Sequence, residues 1–348
     1  MDIKESVFLD LSLLSYFPYP YIGCSVSEMV NYIRLDDSSF LREEYRRNKE
    51  MVEQLNDDIY KDIYLYNVID DNRSSGIVCY VFSYDDYFIF SFRGSEELRE
   101  NETDWQDWID NFAMFLNKPT DQQLYALTIL YQFSNDRKFY LCGHSKGGNL
   151  AQFCSLTMMD DYLDDLLGVY SFNSCGMQKG IYDTYVYRLQ NENFLQKLHI
   201  YENEYDCISS VFTKLCSPII IASSLPCRTI QDYYHNHYLY TMVKDNGGLK
   251  RSQKKDRLPV LLEHLLQIFV KHQSQEWFEK FVEKVNAYFD SKLPLQDLCQ
   301  IIQYQIECAF PKMKNLTLDE MVDVSIQDLW KIDYIMMLIK MLYGMHNI

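Results

Sequence analysis

The sequence predicts an α/β protein in which a sheet, parallel over its later half, is followed by a module made only of helices. Short runs rich in β-branched and aromatic residues alternate with helical patterns between residues 77 and 202. One of these runs, residues 138–142, passes through a glycine-containing pentapeptide directly into a helical pattern. From residue 258 onward, apolar residues recur only at helical spacing. We therefore expect helices on both faces of the sheet and an all-helical C-terminal module.

Helical patterns fill the first 60 residues, ahead of the sheet. Apolar residues recur at helical spacing over residues 7–17, where a pair of prolines ends the pattern. Ser25 and Glu28 have the spacing of a capping box, which predicts the start of a second helix that ends near residue 35. A charged amphipathic pattern over residues 39–55 predicts a third helix. These helices form a preface to the sheet.

Runs with strand character define the predicted sheet. They cover residues 77–83, 87–93, 138–142, 168–173 and 197–202, with residues 227–231 as a weaker candidate. The short gap between the first two runs is typical of a hairpin. A helical pattern over residues 122–133 separates this hairpin from the third run, as expected for a connection between parallel strands.

Gly143-His-Ser-Lys-Gly147 stands between the third predicted strand and a predicted helix. A G-x-S-x-G pattern in this context is typical of the nucleophile elbow of the α/β-hydrolase fold, where the serine occupies a strained strand-to-helix turn. Side chains two residues to either side of Ser145 would clash in such a turn, so glycine is expected at both positions. The helix entry also directs backbone N–H groups at a developing oxyanion. Ser145 is therefore the predicted nucleophile.

The composition changes after residue 244. Residues 245–257 are polar, contain two glycines and carry the only basic run, which we interpret as a solvated linker rather than a site for an acidic group. Helical patterns follow at residues 258–272, 275–290, 294–310 and 325–342. The predicted domains are thus residues 1–245, a hydrolase domain with a helical preface, and residues 246–348, a helical module that packs on this body or roofs its acyl pocket.

Charge and cysteine usage exclude several classes of function. With 33 basic and 50 acidic side chains among 348 residues, the formal net charge is −17, which disfavours nucleic acids and anionic membranes as partners. Ten cysteines are scattered without C-x-x-C pairs or metal-ligand spacing, so neither a metal nor a cofactor is predicted. The sequence shows no signal-peptide pattern and no apolar run long enough to span a membrane. These features predict a reduced, cytoplasmic protein.

A serine nucleophile requires a base and a group that orients the base. In the α/β-hydrolase order, an acid and then a histidine follow the serine. Asp206 comes just after a predicted strand, so it lies at the sheet edge from which the elbow emerges, although it could also cap a helix. His235 and His237 compete as the base, since His144 lies beside the serine, His199 within a strand, and the pair at positions 264 and 272 on the C-terminal helices.

Several segments together resemble the class 3, or fungal-type, lipases. They are Arg93-Gly-Ser95 followed by Asp104-Trp105, the elbow continued by Gly148-Asn-Leu-Ala151, and Asn203-x-x-Asp206. Lys146, the N-terminal Asp10-Leu-Ser-Leu-Leu-Ser-Tyr16 and Tyr170-Ser-Phe-Asn173 look closer still to an uncharacterised bacterial branch of those lipases. The resemblance covers about residues 5–245.

The resemblance implies roles that the residues alone leave open. A histidine followed by a short aromatic segment is typical of the bacterial branch, and this favours His237, with Tyr238 to Tyr240 after it, over His235. Ser95 and the backbone N–H of Lys146 would form the oxyanion hole. Two departures are Lys146, where lipases often carry leucine or a small residue, and Met242, where a tryptophan is expected. Lys146 argues against an apolar, lipid-facing entrance.

The sequence as a whole indicates a serine hydrolase that acts on an ester or thioester. The resemblance implies acylglycerides or phospholipids as substrates, whereas the acidic charge and the predicted compartment favour a small acyl ester, a thioester or a lysolipid. The alternative is a non-catalytic interaction or effector protein that uses a hydrolase scaffold. Any protein partner of the C-terminal helices is not predicted by the sequence.

Overall fold

Seven strands form the central sheet of the computed structural model, which describes residues 3–35, 43–56, 58–95, 106–134 and 137–291. They are β1 (Tyr64–Asp71), β2 (Ile77–Tyr84), β3 (Tyr87–Phe92), β4 (Phe139–His144), β5 (Leu166–Phe172), β6 (Leu198–Asn203) and β7 (Ile219–Ile221). The first three strands pair antiparallel, and β3 to β7 pair parallel in chain order. The predicted fold class, with a sheet parallel over its later half, is confirmed.

Helices cover both faces of this sheet. They are α1 (Glu5–Leu14), α2 (Val26–Leu35), α3 (Glu43–Glu53), α4 (Gln106–Ala113), α5 (Asp121–Ser134), α6 (Lys146–Thr157), α7 (Asp160–Leu163), α8 (Lys179–Tyr185), α9 (Glu192–Leu195), α10 (Ile230–His235), α11 (Arg257–His272) and α12 (Gln275–Ser291). Single 3₁₀ turns lie at Asp58–Lys61, Met114–Leu116, Val186–Gln190, Ile208–Ser210 and Leu239–Thr241.

Alternate residues of β2 show how the sheet separates two apolar layers. Tyr80 and Phe82 join the layer beneath α1 and α2, whereas Cys79 and Val81 join the layer beneath α5 and α6. This arrangement follows from the two-residue period of a strand, which sends successive side chains to opposite faces. Both faces are apolar because both are covered, as expected for strands at the centre of an α/β sheet.

The structure differs from the predicted sheet at three places. Strand β1 was not predicted, because its pairing with β2 shifts between Leu65 and Asn67 and this irregularity breaks the alternating pattern. Strand β7 has only three residues, too few for a periodic signal. The weak candidate at residues 227–231 is wrong: Thr229 forms a capping box with Asp232 and opens α10.

The segment 245–257 contacts the sheet over much of its length. Two short strands, β8 (Lys244–Asp245) and β9 (Gly248–Leu249), form a hairpin, after which Arg251 bridges antiparallel to Ile221. The side chain of Lys255 is 6% exposed, and its Nζ atom lies 2.6 Å from a carboxylate oxygen of Glu202. The solvated-linker interpretation of the basic run is therefore wrong for Lys255.

Both described C-terminal helices pack on elements that lie after strands of the parallel sheet. Leu262 of α11 is buried beside Cys207, and the Ser210 hydroxyl donates to the Pro259 carbonyl over 2.9 Å. Phe281 of α12 packs against α4 and the turn that follows it. The helices predicted at residues 294–310 and 325–342 lie outside the described residues. Within the described ranges, none of the helices combines the length and apolarity needed to cross a bilayer.

Candidate active site

Ser145 lies in the sharp turn between β4 and α6, with φ 56° and ψ −124°. This conformation is sparsely populated for residues other than glycine, and such strain is common at functional sites. A Cβ atom on Gly143 would lie 2.4 Å from the carbonyl carbon of Gly147, and one on Gly147 would lie 2.0 Å from the Phe92 carbonyl oxygen. Glycine is thus required at both positions for the chain to pass so closely.

Asp206 and His237 lie next to Ser145 in three dimensions. The Nε2 atom of His237 is 2.9 Å from Ser145 Oγ, and its Nδ1 atom is 3.0 Å from Asp206 Oδ1. Asp206 follows β6 by three residues, and His237 follows α10 by two. Three distant parts of the chain therefore form one continuous line of hydrogen-bonding groups, in the order that an acyl-transfer triad requires.

The carboxylate of Asp206 is completely buried, and both of its oxygens accept hydrogen bonds from protein groups. Its Oδ1 atom accepts the Ile208 N–H over 3.1 Å, and its Oδ2 atom accepts the Ser209 N–H over 2.9 Å. Burial alone would raise the pKa of this carboxyl. The neighbouring His237, the charge of Lys255 and the Ser209 hydrogen bond outweigh burial and lower the pKa below its ordinary value. Asp206 is thus held as an anion next to the imidazole.

His235, the alternative base, is directed elsewhere. It ends α10, and its Nδ1 atom lies 3.2 Å from the Tyr240 hydroxyl. Tyr240 is part of the short aromatic segment after His237, the segment that favoured His237 over His235 as the predicted base. Met242, which replaces an expected tryptophan, is buried in the apolar layer beneath α1.

The loop that carries Ser95 passes directly beside the elbow. A Cβ atom on Gly94 would lie 3.0 Å from the Cβ atom of Ser145, so the backbone on this side is in close contact with the serine. The Ser95 hydroxyl accepts a hydrogen bond from the side-chain amide of Asn111, over 2.8 Å. Asp104 and Trp105, which also carry the resemblance to lipases, lie outside the described residues.

Lys146 begins α6 immediately after the serine. Its backbone N–H is among the first of the helix, which have no acceptor within the helix. Its side chain is 3% exposed, and its Nζ atom is 2.5 Å from Asp110 Oδ2. The sequence-based argument that Lys146 disfavours an apolar entrance is therefore wrong in its premise, because the ammonium group is paired inside the protein.

A hydrogen-bonded chain that the sequence did not predict runs behind Ser145 and His237. His144 Nε2 is 2.8 Å from the carbonyl oxygen of His237, and His144 Nδ1 is 2.9 Å from the hydroxyl of Tyr16. The same hydroxyl accepts the Gly94 N–H over 2.9 Å. Burial, followed by the nearby His237, lowers the pKa of His144 to about 3, so the ring is neutral.

His144 is next to the elbow serine in the chain but does not face it. Its ring points away from Ser145, as the elbow turn dictates, and towards the backbone of His237. Asn173 shares this contact, since its side-chain amide donates to the His237 carbonyl over 2.8 Å. The only hint of this contact in the sequence was Tyr16, which ends the N-terminal segment that resembles the bacterial lipases.

No group of three or more metal-ligating side chains occurs in the ranges the structure covers.

The fold and the site together define a lipase-like α/β scaffold of the hydrolase type, with an elbow serine between β4 and α6. The chain belongs to the Mbeg1-like family, whose model matches residues 60–287. The matched range continues past residue 245, the boundary predicted between the two domains. That boundary stays a prediction.

Several solved structures, lipases among them, are similar to this chain at low sequence identity. The M37 lipase is 16% identical, with 60% of this chain and 70% of that chain covered and a TM-score of 0.36. A mutant of MDLA from Penicillium cyclopium is 12% identical, with coverage of 71% and 84% and a TM-score of 0.37. The native Rhizomucor miehei lipase propeptide complex is 14% identical, with coverage of 63% and 67% and a TM-score of 0.36. The search of curated proteins found no match.

Proposed function

We propose that this protein is a serine hydrolase that cleaves a carboxylic ester or thioester through an acyl-enzyme. One observation carries the proposal: His237 lies 2.9 Å from Ser145 Oγ through one ring nitrogen and 3.0 Å from the buried Asp206 carboxylate through the other. A histidine that accepts a serine proton and donates to an anion on its far side is the arrangement that activates a serine.

In the first half-reaction, Ser145 Oγ attacks the acyl carbon as its proton passes to His237 Nε2. The carbonyl electron pair moves to oxygen, and the resulting anion is stabilised by the Lys146 N–H and by Ser95. Collapse of this intermediate breaks the bond to the leaving alkoxide or thiolate, which takes the proton from His237. Asp206 stabilises the imidazolium form between these two transfers.

In the second half-reaction, water replaces the leaving group. His237 Nε2 accepts a proton from the water as its oxygen attacks the acyl carbon, and the same oxyanion donors act again. The bond to Ser145 Oγ then breaks, and Oγ recovers its proton from His237. The carboxylic acid is released and the enzyme returns to its starting state.

The proposed substrate is a small acyl ester, a thioester or a lysolipid met in a reducing, cytoplasmic compartment. The net charge of −17 disfavours adsorption to an anionic bilayer, the surface on which a lipase would meet long-chain lipids. Eight cysteines of the described residues are free thiols, which agrees with the proposed compartment. Membership in the bacterial branch of lipase-like proteins remains part of this proposal.

A fluorophosphonate probe tests the proposal, because it labels only an activated serine. We expect the wild-type protein to be labelled and Ser145→Ala to be unlabelled. Only the wild type should hydrolyse p-nitrophenyl esters of graded acyl length. His237→Ala should lower kcat by about 10⁴- to 10⁶-fold. His235→Ala is the matched control and should retain most activity, since His235 contacts Tyr240.

The competing proposal, a non-catalytic scaffold, predicts the opposite result. A folded protein that is neither labelled at Ser145 nor active on any ester or thioester would favour that scaffold. Activity lost in His235→Ala but kept in His237→Ala would instead mean that the base is misassigned.

A further inference from the structure

Lys146 and Asp110 form an ion pair inside the protein, beside the proposed oxyanion hole. The Lys146 side chain is 3% exposed and that of Asp110 is 4% exposed. Lys146 belongs to α6 and Asp110 to α4, so the pair joins two helices that begin after different strands. A buried pair of this kind is little screened by solvent, and it restrains both side chains tightly.

The carboxylate of Asp110 is held in place by hydrogen bonds of its own. Its Oδ2 atom accepts the Thr120 hydroxyl over 2.7 Å, and its Oδ1 atom accepts the Gln122 N–H over 3.1 Å. These two contacts attach the carboxylate to the start of α5. The ammonium of Lys146 is therefore held at a point set by α4 and α5, and not by α6 alone.

The next residue of α4 holds the other half of the proposed oxyanion hole. Asn111 donates its side-chain amide to the Ser95 hydroxyl over 2.8 Å. Asp110 and Asn111 are consecutive, so a single turn of α4 anchors the side chain of Lys146 and the side chain of Ser95. The separation between the Lys146 N–H and Ser95 thus depends on this turn.

Stability does not by itself explain such a pair. Desolvation of two charges offsets most of their attraction, and an uncharged pair of similar size often gives equal stability. What a buried ion pair adds is a defined position for both groups. An oxyanion hole needs this property, because its donors must be aimed at the oxygen before the reaction begins.

We infer that Lys146 and Asp110 are a positioning pair, which holds the backbone N–H of Lys146 at the correct distance from Ser95 for oxyanion stabilisation. The inference rests on the proposed hydrolase function. It gives the side chain of Lys146 a role distinct from that of its backbone, and it explains why a lysine at the position after the nucleophile is compatible with an esterase.

The test replaces both charges at once. In the double variant Lys146→Met with Asp110→Asn, the amide oxygen takes the place of Oδ1 and accepts the Gln122 N–H, while the amide NH2 takes the place of Oδ2 and donates to the Thr120 hydroxyl. Methionine keeps the length of the lysine stem. We expect kcat to fall about 10- to 100-fold with KM unchanged, less than the loss of a whole oxyanion donor. The affinity for a boronic acid transition-state analogue should fall by the same factor.

Folding is monitored in the same preparations. The double variant should keep its thermal midpoint within a few degrees, whereas Lys146→Met alone, which leaves a buried carboxylate without its cation, should lower it by roughly 10 °C. The control is the same substitution pair in the exposed ion pair of α8, Lys179→Met with Asp183→Asn. This control should change neither kcat nor analogue affinity.

Each outcome separates this inference from the proposed function. A wild-type protein that fluorophosphonate does not label refutes the hydrolase and the positioning pair together. A labelled, active wild type with unchanged kcat in the double variant refutes only the positioning pair. Loss of the folded state in the double variant, or equal losses in kcat and in substrate binding, would also refute it and assign the pair a structural role.

Discussion

The protons around His144 can be assigned from the chemistry of its neighbours. The His237 carbonyl only accepts, so Nε2 of the neutral His144 ring must carry the proton. Nδ1 is then an acceptor, and Tyr16 must donate to it while its own oxygen accepts the Gly94 N–H. The chain of donors therefore runs in one direction, from Gly94 through Tyr16 and His144 to the backbone of His237.

This assignment predicts the effect of Tyr16→Phe. The substitution removes one hydroxyl and leaves both the Gly94 N–H and His144 Nδ1 without that partner, at a cost of about 1–3 kcal/mol for each buried group. We expect a lower free energy of unfolding and a kcat reduced about tenfold, because the His237 backbone loses support. Urea denaturation and ester kinetics measure the two effects.

Tyr21→Phe is the matched control, since Tyr21 is 52% exposed and its hydroxyl donates to the surface carboxylate of Glu28. Equal behaviour of the two variants would mean that the Tyr16 hydroxyl does not support the base.

The buried carboxyl of Asp107 should make the free energy of unfolding depend on pH. Burial raises the pKa of this carboxyl to about 6, although the Gln122 hydrogen bond and the charges of Arg93 and Lys146 oppose the shift. The pKa of Asp107 is higher in the folded state than in the unfolded state. The contribution of protonated Asp107 to the free energy of unfolding is therefore fully present below about pH 4 and is lost as pH rises through 6. Asp107→Asn avoids this loss, so it should be more stable than the wild type by about 3 kcal/mol above pH 6.

Below about pH 4 the advantage of Asp107→Asn should vanish, because the wild-type carboxyl is then protonated in both states. Denaturation series at several pH values between 4 and 7 measure the difference. Asp86→Asn, in the exposed turn between β2 and β3, serves as the control. A difference between Asp107→Asn and wild type that does not change with pH would contradict the raised pKa.

At the scale of elements, α12 lies against the helix that follows the Ser95 loop. The Phe281 ring is 5.9 Å from Phe112 and 6.2 Å from Phe115, and it stacks on Trp277 at 5.4 Å between centroids. Phe115 also contacts Phe212, at 5.1 Å, in the segment that follows Asp206. Aromatic side chains thus connect α12 with segments that follow both Ser95 and Asp206. A roof over the acyl pocket remains a prediction for these helices.

Phe281→Ala tests the roof. If α12 limits the acyl pocket, removal of this ring should raise kcat/KM for long p-nitrophenyl esters relative to short ones, with fluorophosphonate labelling of Ser145 retained. The cavity should also lower the free energy of unfolding by about 3–5 kcal/mol. Lys280→Ala, at an exposed position of the same helix, should leave the preference unchanged. An unchanged chain-length profile in Phe281→Ala would favour simple packing on the hydrolase body.

At the scale of the whole molecule, the cysteines lead us to expect a protein without disulfides. The described cysteines are free thiols, five of them buried, and the sequence contains ten in all. We expect about ten thiols when protein purified without reductant is denatured and titrated with a thiol reagent. A count lower by two or more would indicate disulfides and contradict the cytoplasmic prediction.

Local features of the sequence were sufficient for the elbow and for most of the sheet. Gly143, Ser145 and Gly147 are close in the chain, and the sterics of a strand-to-helix turn act over only a few residues. The strands β2 to β6 carry strong apolar patterns because both faces of each are buried. Strand β7 is too short, and the pairing shift in β1 disrupts its alternation, so neither has a pattern to detect.

By itself, the sequence determined the elbow around Ser145, and it predicted the order in which Asp206 and His237 follow, because these features depend on local geometry and on the position of strand ends. Only the tertiary structure decided the contacts made by polar side chains far apart in the chain. Lys146 pairs with Asp110, Lys255 with Glu202, and His144 with the backbone of His237. A charged residue in a sequence is equally compatible with solvent and with a buried partner. Desolvation makes the buried position favourable only where the fold supplies the opposite charge or a hydrogen-bonding group.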